Sequence, residues 1–272
     1  MRALKVLNRS IRFGDNKETV KLEVFSELTG KVAVVTGASR GIGRGIAEAL
    51  AQYNMRLALV ATNDSVSAVA EELSLRGVEA VGFVTDLRCA AEREQLVDQV
   101  IKHFGKVDLL VNNAGVARIK SALELTEEDW EQTLQVNLMA PFFLSCKMAA
   151  RWIEEKREGC IVNIASQAAE QAFDGHTAYS ASKGGLLAMT SVQALEWGAY
   201  GIRVNCISPG LVYTEMAKEN WGSGEAVLRK LALPRFAQPK EIGYAVAYLA
   251  SDAARAVTNL NLKVDSGPKR LF

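Results

Sequence analysis

The stretch Val32-Ala33-Val34-Val35-Thr36-Gly37-Ala38-Ser39-Arg40-Gly41-Ile42-Gly43 decides the fold of this chain. Its first four residues form a short apolar run rich in valine, which is typical of a strand buried on both faces of a parallel sheet. The glycines that follow allow a tight turn and a close approach of the backbone to a ligand. Because the next segment is helix-sized, the turn would place free N–H groups at a helix N-terminus, where phosphates bind. The stretch therefore predicts a strand, a turn and a helix that hold the pyrophosphate of a dinucleotide.

The same alternation of short apolar runs and helix-sized segments continues along the chain. Strands that alternate with helices are joined by right-handed crossovers and form a parallel sheet. We therefore predict an α/β fold in which a parallel seven-stranded sheet carries helices on both faces. The predicted strands cover residues 32–35, 57–60, 80–84, 109–111, 161–164, 204–207 and 260–264, and the predicted helices cover residues 42–53, 66–76, 91–104, 127–155, 179–200 and 240–249.

Composition limits the classes of protein to which the chain can belong. With 272 residues, of which 49% are hydrophobic and 23% charged, it can bury the core of one large domain. A formal net charge of +1 gives no overall field that would attract nucleic acid or an anionic membrane. The apolar runs are strand-sized and shorter than a membrane span. We therefore expect a small-molecule substrate, with neither nucleic acid nor a membrane as a partner.

The cysteines, the histidines and the N-terminus bear on metal binding and location. The four cysteines are widely spaced without a Cys-x-x-Cys pair, and only two histidines are present, so we expect no metal site and a reducing compartment, the cytoplasm.

We predict an N-terminal extension over residues 1–28 and one NAD(P)-binding catalytic domain over residues 29–272. Basic residues interleaved with apolar ones over 1–13 leave an alternative open, a targeting segment for the mitochondrial matrix.

Downstream of the glycine turn, Ser166, Tyr179 and Lys183 follow one another as Ser-x12-Tyr-x3-Lys. On a helix, Tyr179 and Lys183 lie one turn apart on the same face. A phenol with a reference pKa of about 10 becomes a base near neutral pH only if its phenolate is stabilised by about 4 kcal/mol. We expect the ammonium of Lys183 to supply much of that stabilisation, and Ser166 to hold the substrate oxygen. Together with a dinucleotide site, the triplet predicts hydride transfer between a nicotinamide and an alcohol or carbonyl.

Three motifs occur in a fixed order: the Gly-x3-Gly-x-Gly turn, Asn112-Asn113-Ala114-Gly115, and the Ser/Tyr/Lys triplet. This order resembles that of the classical short-chain dehydrogenase/reductase family from about Leu28 to Gly267, and the resemblance implies a single doubly wound Rossmann-type domain. It also implies a catalytic tetrad of Asn137, Ser166, Tyr179 and Lys183, in which Asn137 holds a water that links Lys183 to bulk solvent. The cofactor-binding residues that follow from the glycine turn and the resemblance are Gly37, Ser39, Arg40, Gly41, Ile42, Gly43, Thr62, Asp86, Leu87, Asn113, Ala114, Gly115, Tyr179, Lys183, Pro209, Gly210, Val212 and Thr214.

The end of the second predicted strand bears on the choice between NADP(H) and NAD(H). Members of the family that prefer NAD(H) carry an acid at the position of Ala61, where it accepts hydrogen bonds from the adenosine ribose. Ala61 leaves room for a 2′-phosphate instead, and Arg40 in the glycine turn could pair with that phosphate. We therefore expect NADP(H) to be preferred and NAD(H) to be possible. Asp64 could oppose the phosphate, but its simpler role is the N-cap of the next helix.

The expected substrate site combines the triplet with the loops around it. The segment 194–198, the stretch around Trp221 and residues 234–237 resemble family members that interconvert polyols and ketoses, so we predict interconversion of a polyol and its ketose. A 3-oxoacyl thioester (acyl-carrier) reductase and a catalytically silent nucleotide-binding subunit are alternatives. The resemblance also implies a homo-oligomer, a tetramer. The predicted substrate residues are Ser166, Gln167, His176, Tyr179, Met216 and Trp221.

Overall fold

The structure is a computed structural model that describes residues 25–214 and 228–268. Its strands are β1 Val32–Thr36, β2 Arg56–Ala61, β3 Ala80–Val84, β4 Leu109–Asn112, β5 Gly159–Ile164, β6 Ile202–Pro209 and β7 Asn261–Val264. They form one sheet in the order β3-β2-β1-β4-β5-β6-β7, and every neighbouring pair is parallel. The predicted α/β fold and its seven-stranded sheet are confirmed.

Helices cover both faces of the sheet, so the fold is doubly wound. The helices of the described residues are α1 Gly41–Ala51, α2 Ser65–Ser74, α3 Ala90–Phe104, α4 Glu127–Leu134, α5 Ala140–Glu154, α6 Thr177–Trp197 and α7 Pro239–Ala250. One buried cluster joins the sheet to α1, α2 and α7, and a second joins it to α3, α5 and α6 on the opposite face.

Strand β1 illustrates why the central strands are apolar at every position. Ala33 and Val35 belong to the cluster that includes α1, whereas Val32 and Val34 belong to the cluster on the other face. Successive side chains of a strand point to opposite faces, and here both faces are covered by helices. The strand has no alternation of polar and apolar residues because each of its faces packs into a separate hydrophobic core. This explains the apolar run from which the sequence analysis predicted a buried strand.

The helix predicted over residues 127–155 is not one regular helix, and in this respect the prediction is wrong. It begins as expected, because Thr126 Oγ1 accepts a hydrogen bond from Asp129 N at 3.1 Å and caps α4. A π-helical turn, Gln135–Met139, then separates α4 from α5. Pro141 follows this turn and has no N–H to donate to the carbonyl four residues before it, which is that of Asn137. The interruption therefore falls on a predicted catalytic residue, as π turns frequently do.

The structure places residues near both ends of the predicted domain. Leu28, which the sequence analysis assigned to the N-terminal extension, is fully buried, and Phe25 packs against Tyr53 with ring centroids 5.7 Å apart. Near the other end, Asn259 and Ser266 adopt left-handed backbone conformations with φ of 59° and 58°. Glycine adopts this conformation without steric cost. Within the described ranges, no helix is both long and apolar enough to cross a membrane.

Candidate active site

A cleft of about 580 Å³ lies at the carboxyl ends of the strands, where β1 and β4 diverge into loops on opposite sides. This is the topological switch point at which doubly wound sheets bind their ligands. Nearly all predicted cofactor residues line it, together with Ser166 of the catalytic triplet. The predicted residues that line it are Gly37, Ser39, Arg40, Gly41, Ile42, Gly43, Thr62, Asp86, Leu87, Asn113, Ala114, Gly115, Ser166, Tyr179, Lys183, Pro209, Gly210 and Thr214.

The glycine turn forms a cradle that side chains would fill. A Cβ on Gly43 would stand 2.1 Å from the carbonyl oxygen of Gly37, which is far inside van der Waals contact. Gly37 and Gly41 have positive φ values of 66° and 55°, and a Cβ on Gly41 would project into open space, with Thr214 Cγ2 at 3.6 Å. The open space lies beside the N-terminus of α1, which attracts phosphate. These residues fit the pyrophosphate of a nicotinamide dinucleotide.

Thr36 and Asn113 tie the glycine turn to the loop after β4. The side-chain amide of Asn113 donates to the carbonyls of Thr36 at 2.8 Å and Gly37 at 3.2 Å. In return, Thr36 Oγ1 accepts hydrogen bonds from the backbone N–H groups of Asn113 and Ala114, both at 3.0 Å. The sequence analysis missed Thr36, although a lone hydroxyl at the end of an apolar strand is a signal for such a bond. The side chain of Asn113 therefore shapes the turn itself.

The end of β2 differs from the prediction in its capping residue. Ala61 and Thr62 line the cleft. Asp64 stands at the N-cap of α2, but its carboxylate accepts from Ser67 Oγ at 2.7 Å and from no backbone N–H of the first turn. Asn63 bonds the backbone instead, because its Oδ1 accepts from Ser65 N at 3.2 Å. Asp64 therefore holds the predicted N-cap position, but its side chain makes no capping hydrogen bond to the backbone, and it does not line the cleft.

Asp86 lines the cleft as predicted, but its carboxylate is already engaged. Arg88 Nε and Nη2 donate to it at 3.0 Å and 2.6 Å, and the backbone N–H of Arg88 donates at 2.9 Å. These hydrogen bonds from Arg88 lower the pKa of Asp86, so the carboxylate is ionised at neutral pH. Arg88 itself lines the cleft and was missed from the sequence, since a half-exposed arginine after a strand carries no distinguishing pattern. The adenine end of the cleft thus presents an ion pair.

The catalytic triplet comes together at the opposite end of the cleft. Tyr179 and Lys183 lie one turn apart on α6, with Lys183 Nζ 5.8 Å from the centre of the phenol ring. Lys183 Nζ donates to the carbonyl of Ile164 at the end of β5 at 2.7 Å. Ser166 lies in the loop just after β5, separated from the strand by Ala165, and its Oγ accepts from Ala168 N at 3.1 Å. A strand end and a helix that packs on it therefore hold the three side chains.

The charge state of this triplet differs from the expectation. Burial raises the pKa of Tyr179, and the hydrogen bond with Ser166 opposes this rise only in part. Burial also lowers the pKa of Lys183 to about 8. The expectation that the ammonium of Lys183 supplies much of the stabilisation of the phenolate is not met in this structure, because burial removes both groups from water and disfavours the charged form of each.

Asn137 lies on the π turn and is fully buried. Its Oδ1 accepts from Val116 N at 2.8 Å, while its Nδ2 donates to Val116 O at 2.9 Å and to Ser182 Oγ at 3.0 Å. A Cβ on Gly115 would stand 3.4 Å from Asn137 Oδ1 and 3.5 Å from Lys183 Nζ, so these groups converge. The side chain fixes the loop that follows β4, and a water bridge to Lys183 stays a prediction.

Several predicted residues lie outside the cleft lining. The side chain of Val212 is buried in the core, where residue 212 pairs with Ala237. His176 lies beside the cleft with its ring edge-on to Tyr179 at 6.1 Å, and its Nδ1 contacts Asp174 O at 2.7 Å. Gln167 does not line the cleft, and its Oε1 is buried without a hydrogen-bond partner. The predictions for Met216 and Trp221 fall outside the described residues.

The end of the cleft beside Ser166 and Tyr179, where substrate is predicted to bind, is lined instead by residues that the sequence analysis did not single out. They come from the loop after β4, from the helix–π-turn segment and from the end of β5. No motif marks them, because their common position depends on the fold and on the course of one loop. These residues are Val116, Ala117, Arg118, Gln132, Val136, Ile164 and Ala165.

Comparison with known proteins identifies the family. A family model described as enoyl-(acyl carrier protein) reductase matches residues 37–269. The chain is 44% identical to D-threitol dehydrogenase of Mycolicibacterium smegmatis over 88% of this chain and 93% of that protein. It is 37% identical to the NAD-dependent glycerol dehydrogenase of Listeria innocua, over 88% of this chain and 94% of that protein.

Solved structures have the same fold. A putative gluconate dehydrogenase from Agrobacterium tumefaciens superposes with a TM-score of 0.85 at 31% identity, covering 90% of this chain and 98% of that one. A blue fluorescent protein from a metagenomic library, in complex with NADPH, superposes with a TM-score of 0.81 at 36% identity, covering 88% and 98%. The chain therefore belongs to the classical short-chain dehydrogenase/reductase family and is a NAD(P)-dependent dehydrogenase that acts on CH–OH groups.

Proposed function

We propose that the protein interconverts a polyol and its ketose by oxidation and reduction of a secondary alcohol, with NADP(H) as the preferred cofactor. The observation that carries this proposal is the convergence of Ser166, Tyr179 and Lys183 on a cleft that also holds the glycine turn. Similarity to D-threitol and glycerol dehydrogenases, and to a putative gluconate dehydrogenase, supports a polyhydroxylated substrate. The side chains of Arg118 and Gln132 give the substrate end hydrogen-bonding groups that suit hydroxyls.

The chain's own residues would manage the proton of the alcohol. Ser166 donates to the substrate oxygen, and Tyr179 takes the hydroxyl proton during oxidation and returns it during reduction. When bound, the oxidised nicotinamide accepts the hydride and adds a positive charge to the site. That charge matters because burial raises the pKa of Tyr179 in the protein alone. Lys183, held by Ile164 O, is near enough to contribute when it is protonated, below its pKa of about 8.

The preference for NADP(H) rests on three side chains around the adenosine end. Ala61 lines the cleft where an acid would accept from the ribose, and Arg40 and Arg88 line it nearby. Arg88 is paired with Asp86, whereas no carboxylate in the described ranges forms an ion pair with Arg40. Arg40 is therefore the cation available to a 2′-phosphate. The glycerol dehydrogenase relative is NAD-dependent, so a comparison of kcat/KM with NADP(H) and with NAD(H) tests this preference directly.

The test is a panel of substrates assayed at 340 nm with both cofactors. Alditols and ketoses of increasing length, and 3-oxoacyl thioesters, would each be offered with NADP(H) and NAD(H), and kcat/KM compared. The proposal expects polyols or ketoses with NADP(H) to give the highest values. A higher kcat/KM for 3-oxoacyl thioesters would support instead a 3-oxoacyl thioester (acyl-carrier) reductase, a second candidate that is favoured by 35% identity to a 3-oxoacyl-[acyl-carrier-protein] reductase of Synechocystis.

We also propose a homo-oligomer, a tetramer, in which the helices α5 and α6 pair with those of other copies. Phe142 and Phe143 on α5 are 41% and 46% exposed, and Leu195 on α6 is 83% exposed. Large apolar side chains clustered on neighbouring helices are typical of subunit interfaces. Light scattering at micromolar concentration is expected to give the mass of four chains, and a monomeric mass would contradict the assembly.

A reducing compartment, the cytoplasm, is the proposed location. All four cysteines have free thiols, and those of Cys160 and Cys206 are buried. Buried free thiols are compatible with a reducing environment. The alternative of a mitochondrial targeting segment concerns residues outside the described ranges. A fusion of residues 1–28 to a fluorescent reporter would test it, since import of the reporter into mitochondria would contradict the cytoplasmic proposal.

A further inference from the structure

Arg118 lies at the centre of a loop segment that is fixed on both sides. On one side, the side chain of Asn137 holds the backbone N–H and carbonyl of Val116. On the other side, Lys120 N donates to Gly175 O at 3.1 Å, and Lys120 Nζ pairs with Asp129 at 2.6 Å. Because residues 116 and 120 are both held, residue 118 between them has a defined position at the wall of the cleft. A side chain on such a loop is suited to orient a ligand.

The guanidinium of Arg118 is oriented by a neutral group. Its Nη2 donates to Gln132 Oε1 at 3.2 Å. The side-chain amide of Gln132 is held in this orientation, because its Nε2 donates to Glu128 Oε1 at 2.8 Å. Glu128 thus fixes Gln132, and Gln132 fixes Arg118, without a carboxylate reaching the guanidinium. Arg118 keeps its full charge and most of its five donors for another partner.

Two other cations of the cleft and its loops are paired with acids, whereas Arg118, like Arg40 at the adenosine end, has no such partner among the described residues. Lys120 pairs with Asp129, and Arg88 at the other end of the cleft pairs with Asp86. In residues 25–214 and 228–268, no acid forms an ion pair with Arg118. Its location next to Val116 and Gln132 is the substrate end of the cleft, whereas Arg40 and Ala61 mark the adenosine end. The unpaired charge therefore faces the substrate.

We propose that Arg118 binds a carboxylate of the substrate, so that among polyhydroxylated substrates those that carry a carboxylate are preferred to neutral alditols. Guanidinium and carboxylate groups form paired, charge-assisted hydrogen bonds whose planar geometry fixes the orientation of the acid. In the oxidation, the carbinol carbon loses a hydride to the oxidised nicotinamide and its hydroxyl loses a proton to Tyr179. The product is the oxo acid, and the carboxylate is unchanged. This inference rests on the proposed function and names its substrate class.

The experiment compares sugar acids with alditols of the same carbon number in the wild type and in Arg118→Gln. The wild type should prefer the acids, and the substitution should lower kcat/KM for the acids by about tenfold to a hundredfold. It should lower kcat/KM for the alditols by a clearly smaller factor than for the acids, because alditols lose a hydrogen bond but no ion pair, and leave the KM for the nicotinamide cofactor unaltered. Arg118→Lys keeps the charge without the planar fork and should restore part of the lost activity. Arg255→Gln, at an exposed arginine outside the cleft, is the matched control.

Each other outcome overturns the inference. Equal losses for acids and alditols would indicate a role in the shape of the loop, and a raised cofactor KM would place Arg118 in the nucleotide site. If the wild type oxidises alditols but not sugar acids, the substrate class is wrong while the proposed function stands. If it oxidises neither and reduces 3-oxoacyl thioesters instead, both the inference and the proposed function fail.

Discussion

Replacing Lys183 by methionine should change how the stability of the ligand-free enzyme depends on pH. The side chain is only 4% exposed, and burial lowers the pKa of its ammonium from 10.5 to about 8. The unfolded chain, where the pKa is ordinary, therefore binds more protons than the folded chain between about pH 8 and pH 10.5. Within this window the free energy of unfolding of the wild type rises with pH because of this group.

The size of the effect follows from the pKa. Lowering a pKa from 10.5 to about 8 corresponds to a destabilisation of roughly 3 kcal/mol. This destabilisation of the folded state is present in full below about pH 8 and disappears as the pH rises from about 8 to 10.5. The methionine variant has no such charge, so the difference in stability between the two proteins should change by about 3 kcal/mol, or roughly 6–12 °C in Tm. Loss of the hydrogen bond to Ile164 O shifts the variant by about 1–3 kcal/mol at every pH and leaves the slope unaffected.

Urea unfolding from pH 7 to pH 10.5, at one protein concentration, measures this difference. The raised pKa values of Tyr179 and Cys206 act in the opposite direction, but both groups are present in both proteins. Lys102→Met, at an exposed lysine of α3, controls for the loss of a positive charge at the surface. If the curves of the wild type and Lys183→Met run parallel through the window, the argument from burial is refuted.

Four further substitutions test the site. Tyr179→Phe should abolish turnover and leave cofactor affinity, measured by fluorescence titration, nearly intact; more than a few per cent of residual activity would remove the acid–base role. Ala61→Asp should reverse a tenfold to hundredfold preference for NADP(H), roughly the value of one charge-assisted contact, and Arg40→Ala should weaken NADP(H) more than NAD(H). Gly43→Ala places a Cβ against Gly37 O and should destabilise the protein by about 1–3 kcal/mol and weaken binding of both cofactors, as melts and titrations would reveal.

The fold could be predicted because its signals are local. The valine run of β1 and the turn after it fall where the sequence placed them, and the strand 80–84 matches β3 at both ends. The π turn Gln135–Met139 could not be predicted, because its residues are ordinary helix formers. Only the missing N–H of Pro141 hinted at a change in hydrogen bonding near Asn137. Local preference therefore fixes the elements but not an irregular turn inside one of them.

Site residues could be predicted where they follow a characteristic spacing along the chain. They could not be predicted where the course of a loop determines which residues reach the cleft. Tyr179 and Lys183 face one cleft because helical geometry places them there. Arg88 and Arg118 reach the same cleft from separate loops, and their chain separation gives no sign of it. The raised pKa of Tyr179 also could not be predicted from the sequence. It depends on how deeply Tyr179 and Lys183 are buried, which their spacing along the chain does not give.

The bonds between Thr36 and Asn113 have a consequence for how the protein is made. The glycine turn leaves the ribosome before the side chain that holds its carbonyls, because Asn113 is synthesised 77 residues after Thr36 and 76 residues after Gly37. Until β4 has emerged and paired with β1, the carbonyls of Thr36 and Gly37 lack that partner. A nascent chain that ends before residue 109 should therefore fail to retain nucleotide. Cofactor could then assist folding only late in synthesis, as a ligand that locks two strands already in place.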